Sequence, residues 1–174
     1  MLKRVLITLA VLLFVLLALG FVLPSKVSLA RSTEIKAPPD AIYPLLVAPK
    51  AWPRWSVWNR RDPAMTITWS GPESGVGAAW AWTSKSEGNG AMTLTAAEPG
   101  RRVGYELRFE GMQPSTGALV LEPSGTGTRV TWSMDADMGG GPLGGWFGLL
   151  MPGMVGKDFD AGLANLKAEA EKGS

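Results

Sequence analysis

The sequence contains no cysteine and no histidine. Without cysteine there are no disulfides, no thiolate nucleophile and no lipid-modified bacterial N-terminus after the hydrophobic leader. Without histidine there is no Ser-His-Asp type triad and none of the commonest transition-metal ligand. Carboxylates, Lys, Arg, hydroxyls and two tyrosines remain for chemistry, and no metal or cofactor is expected. Charge of either sign is also scarce in excess. The 174 residues carry a formal +2, and Lys3 and Arg4 account for it, leaving the rest neutral. A neutral domain with no basic run has no electrostatic footprint for nucleic acid.

Long apolar runs are present once. Residues 5–23 hold a single polar side chain, Thr8, which is the length and composition of a membrane-spanning helix. A cleaved signal peptide is the competing reading, because Ser28, Leu29 and Ala30 place small residues before Arg31. The run is longer than a usual signal core, and cutting there removes half of the first strand pattern. The sequence therefore divides into an uncleaved anchor, residues 1–24, and a domain, residues 25–174. Lys3 and Arg4 favour a cytoplasmic N-terminus and an extracytoplasmic domain, in a single-pass protein of the cell membrane. Lys26 and Arg31 on the far flank pull the other way.

The domain is organised around its end. From Val155 to Lys172 the apolar residues Val155, Phe159, Leu163, Leu166 and Ala170 recur at helical spacing, opposite Asp158, Asp160, Lys167, Glu169 and Glu171. Everything else reads as short strands. Residues 26–36 alternate, with Val27, Leu29, Arg31, Thr33 and Ile35 on one face. Arg31 is expected to pack its stem there and find a carboxylate for its head. Residues 37–40 (APPD) stop the strand, and a helix over residues 41–47 follows with Asp40 as its cap. Between residues 65 and 138 six strands meander, separated by Gly/Pro turns, and short connections make successive strands antiparallel. No crossover helix interrupts them, which excludes a parallel nucleotide-binding sheet. Residues 137–145 read as a glycine-rich flexible link lacking the lysine of a phosphate-binding loop. A short helical piece follows over residues 146–151, and Pro152 is expected to break it from the terminal helix.

Aromatic residues are concentrated and form the richest signal. Trp52, Trp55 and Trp58 fall within seven residues at three-residue spacing, so a helical turn brings them to one side. Trp69, Trp80, Trp82, Tyr105, Phe109, Trp132 and Phe159 occupy inward phases of strands or of the terminal helix. The plain account of each is core packing, and the walls of a pocket are also core. Tyr105, Glu106, Arg108 and Asp135 are the candidate acid/base groups, and strand alternation accounts for each of them, with Glu106 and Arg108 on the polar face. Gly162, beside Phe159 and Leu163, is expected where the helix approaches the strands closely.

Several segments match a known pattern: residues 31–39 (RSTEIKAPP), 52–58 (WPRWSVW), 71–77 (GPESGVG), 127–132 (GTRVTW) and 159–167 (FDAGLANLK). Together they resemble the helix-grip fold of the START-like, Bet v 1-like (SRPBCC) superfamily, and within it the polyketide cyclase/dehydrase-like group. The resemblance implies an α+β domain in which a curved, seven-stranded antiparallel sheet wraps a long C-terminal helix and encloses a cavity for an apolar ligand. Three functions stay open on the sequence. The first is a membrane-anchored binding domain for a hydrophobic small molecule or lipid, lined by Trp55, Trp58, Trp69, Trp80, Trp82, Tyr105, Phe109, Trp132 and Phe159. The second is a cyclase-, dehydratase- or hydrolase-type enzyme using cavity carboxylates or Tyr105, and the third is an interaction module with a filled core. Cavity size and the convergence of ionisable groups discriminate among them.

Overall fold

A computed structural model describes residues 1–173. It opens with helix α1, Leu2–Val22. Strand β1, Lys26–Ile35, follows after three residues. Helix α2 spans Pro39–Val47, a 3-10 segment Pro49–Arg54, and helix α3 Val57–Arg61. Six strands come next: β2 Thr66–Ser70, β3 Ala79–Thr83, β4 Gly90–Glu98, β5 Arg102–Phe109, β6 Ser115–Ser124 and β7 Gly127–Asp137. Helix α4, Gly141–Ala170, ends the domain with a 3-10 turn behind it.

The strands form one sheet in the order β1-β7-β6-β5-β4-β3-β2, antiparallel throughout. The short turns force the meander from β2 to β7, and β1 closes the set by pairing with β7 from Lys26↔Asp137 to Ile35↔Thr128. Period-two alternation then decides which face is buried: Val27, Leu29 and Ile35 of β1 and Val130, Trp132 and Met134 of β7 point to the core. Facing them, α4 presents Phe159, Leu163, Leu166 and Ala170. Burial of these side chains is the principal stabilisation of the domain, at roughly 1.5–3 kcal/mol for each large apolar group. Arg31 packs among them as expected, its Nε 3.4 Å from Asp160 and its guanidinium against Gly156.

Two local expectations need correction. Helix α2 begins two residues earlier than expected, at Pro39, with Pro38 as N-cap and no side-chain cap. Proline is at home in a helix's first turn, where its missing N–H is not needed, so Asp40 falls inside that turn and complements the helix dipole. More consequential is α4, which runs unbroken for 30 residues through Pro152 and absorbs residues 141–145 of the expected glycine link together with the short helical piece. Tertiary packing holds the helix on both sides of the proline. Before it, a Cβ at Gly145 would strike the carbonyl of Gly20 and one at Gly148 the carbonyl of Pro24; after it, Gly156 lies against Arg31. The glycines are there for close approach, not for flexibility.

Candidate functional site

Three elements frame the site. The bend from α2 through the 3-10 segment into α3 is rigid because its tryptophans are tied down at both ends. The Trp52 indole donates to the Leu46 carbonyl at 2.9 Å, the Trp55 indole to the Leu45 carbonyl at 3.0 Å, and the Trp58 indole to Asp158 Oδ2 at 3.1 Å. Their rings meet Trp132 in T-shaped, edge-on contacts at centroid distances of 6.0, 5.4 and 5.8 Å. Trp132 in turn stacks on Phe159 of α4, 4.1 Å apart and nearly parallel. This aromatic column fixes α3 and α4 relative to the concave face of the sheet, at the geometry in which aromatic pairs attract.

Beside the column the core does not fill. A cavity of about 240 Å³ lies between β3, β4, β5, β7, α3 and α4. It is larger than the roughly 150 Å³ apolar cavity that suffices to hold a benzene-sized molecule. Of the aromatic residues singled out in the sequence, Trp58, Trp80, Trp82, Phe109 and Phe159 line it. Trp55, Tyr105 and Trp132 are buried behind the wall, and Trp69 packs on the far side of Trp80, with ring centroids 6.4 Å apart. None of these four reaches the cavity.

Sequence reasoning missed the methionines. Met65, Met92, Met112, Met134, Met138 and Met151 all line the cavity, six of the chain's eight. The signal was present: Met92 and Met134 sit at inward strand phases. Unbranched, polarisable thioethers make a wall that adapts to ligands of different shape. Trp52, Leu107, Ala136 and Val155 complete the apolar lining, and the polar groups are Ser56, Asn59, Glu87, Gln113 and Ser115.

The electrostatics are those of a container. Glu87 is the one carboxylate on the lining among the described residues, and it accepts from Arg61 Nη1 at 3.1 Å. Arg61 also bonds Asp158, which strengthens its charged form and raises its pKa. The Tyr105 hydroxyl donates to the Ser133 carbonyl at 3.0 Å and accepts from the Trp132 indole at 2.9 Å. Burial pushes its pKa well above the ordinary phenol value, so at neutral pH it stays a protonated, fully engaged structural group. Glu106 pairs with Arg108 on the outer face, and Asp135 accepts from Ser28 at an exposed position. No two of the candidate acid/base groups converge on the cavity.

Solved structures share this architecture. A protein of Chromobacterium violaceum superposes with a TM-score of 0.61 at 16% identity, over 83% of this chain and 96% of its own. A protein of Mesorhizobium loti gives 0.62 at 14% identity, over 84% and 98%. Ara h 8.0201 gives 0.58 at 14% identity, over 82% and 99%. At such identities the likeness is one of fold, and the fold is the Bet v 1-like helix grip. No curated protein matches the chain in sequence. The model of one family, described as polyketide cyclase / dehydrase and lipid transport, matches residues 26–171. That span takes in the whole sheet and α4, and the chain accordingly belongs to the polyketide cyclase/dehydrase and lipid transport family.

Proposed function

We propose that this protein is a membrane-anchored binding domain for a hydrophobic small molecule or lipid, carried between the sheet and α4. The cavity is the observation that carries the reading: an apolar, methionine- and aromatic-lined space of about 240 Å³ with a few polar groups on its wall. A filled-core interaction module has no use for such a space. An acid/base enzyme needs converging ionisable groups, and Glu87 is already committed to Arg61. The family's lipid transport description supports the same class of ligand. In this reading residues 1–24 are the anchor, residues 25–174 the binding domain, and the domain lies outside the cytoplasm.

The test is native mass spectrometry of the full chain extracted in mild detergent, with and without Ala136→Phe. Ala136 lines the cavity and is only partly buried, so the larger side chain occupies the space without rebuilding the sheet. The expected result is an apolar compound bound one-to-one to the wild type, lost in the variant at unchanged melting temperature. A wild type that releases no apolar compound, and takes up none from a panel of fatty acids, isoprenoids and aromatic polyketide-like compounds, overturns the proposal.

A further inference from the structure

Residues 138–156 contain no charged side chain over 19 positions. Most of them form the first half of α4, which leaves its apolar face uncovered: Leu143, Phe147, Leu150 and Met154 repeat at intervals of four, three and four, and are 67%, 60%, 58% and 71% exposed. A soluble domain does not ordinarily present such a stripe to water. The opposite face of the same turns is pressed onto α1. Gly145 meets Gly20 backbone to backbone, and the Trp146 indole donates to the Leu16 carbonyl at 3.0 Å. Whatever medium surrounds the last turns of α1 therefore surrounds the exposed stripe of α4.

We propose that residues 141–154 are a second membrane element, an interfacial helix segment immersed in the same bilayer that α1 crosses. The inference rests on the anchor reading above. Its depth follows from the contacts: from Leu16 to the end of α1 at Val22 is about 9 Å at 1.5 Å per residue, and interfacial helices immerse their apolar face by roughly 5–10 Å. The consequence concerns the cavity. The strand ends at Lys26, Asp137, Ser115 and Phe109 lie at one end of the sheet by their pairing, and that is the end carrying α1. Met112, Met138 and Met151 line the cavity at this end, and Met112 is exposed. The immersed segment thus sets the methionine-lined end against the bilayer, where a membrane-resident apolar molecule passes between lipid and protein without crossing water.

The natural absence of cysteine supplies a clean background for testing this. Single variants Leu12→Cys, Leu143→Cys, Phe147→Cys, Leu150→Cys and Val76→Cys are made in the full chain, spin-labelled and reconstituted in phosphatidylcholine vesicles. Accessibility to oxygen and to a water-soluble nickel chelate gives each label's depth. All five positions are exposed; a labelled variant on α4 that shifts the melting temperature is replaced by Leu149→Cys or Met154→Cys. Labels on α4 are expected to favour oxygen, as Leu12 does, while Val76 on the far β2–β3 turn favours the chelate. If Leu12 is immersed and the α4 labels behave like Val76, or are shielded from both reagents as under a protein partner, the inference falls and the anchor stands. If Leu12 also reports water, the anchor reading itself has failed.

Discussion

A side chain added at Gly162 has nowhere to go. Its Cβ would come within 2.8 Å of Trp132 Cζ3, and Trp132 cannot yield because Phe159 stacks on it and Tyr105 holds its indole N–H. Gly162→Leu is expected to cost about 1–3 kcal/mol through overpacking, read as a lower urea midpoint. Gly153, exposed and with open space around its α-carbon, accepts alanine without loss. Tyr105→Phe is expected to cost about 1–3 kcal/mol by leaving the Trp132 indole without its acceptor, yet to leave ligand occupancy unchanged, since Tyr105 does not reach the cavity. A drop in occupancy at unchanged stability would place the hydroxyl at the ligand after all. These residues also mark what was legible. Strand phase shows that a side chain points inward, and it did so for Tyr105 and Trp132 as well as for Trp80 and Trp82. It does not show whether another ring stands between that side chain and the empty space, which depends on how far the sheet curves. Methionine carried the missing half of the signal, because a flexible side chain at an inward phase reads as filler until its neighbours are known.

At the scale of elements, local patterns succeeded where the periodicity was long and failed where glycine and proline carried tertiary meaning. All seven strands were legible from alternation and turns. The helical piece over residues 146–151 was legible too, but the start of α4 at Gly141 and its continuity through Pro152 were not, because Gly144, Gly145 and Pro152 are helix-breaking by intrinsic propensity, and only the surfaces of α1 and of the segment after it show why small residues are wanted. Element stability should be graded accordingly. Strand β2 has five residues, one paired edge and no buried side chain, whereas β7 lies between β1 and β6 with register on both sides. Amide hydrogen exchange is expected to be fastest in β2 and slowest in β7. Equal protection across the sheet would mean that β2 is held by an interaction outside the fold described above.

If α1 is the anchor proposed above, the behaviour of the whole molecule turns on that helix. Helix α1 is 21 residues, about 31 Å at 1.5 Å per residue, against a hydrocarbon core of about 30 Å. The domain itself is neutral, so it has no electrostatic hold on anionic lipid, and screening by salt has little to act upon. Processing after Ala30 would remove not only α1 but residues 26–30, which make five of the register pairs between β1 and β7 and bury Val27 and Leu29. It would also strip Gly20 and Pro24 from the surface that α4 rests against. The cut product would be a damaged domain, whereas the intact chain has every one of these contacts. The expected outcome is that the protein sediments with membranes through both high-salt and alkaline washes, that detergent alone releases it, and that sequencing of the released chain finds residues ahead of Lys26. Recovery of a soluble chain beginning at Arg31 would show that the leader is a signal peptide and that β1 is completed by other means.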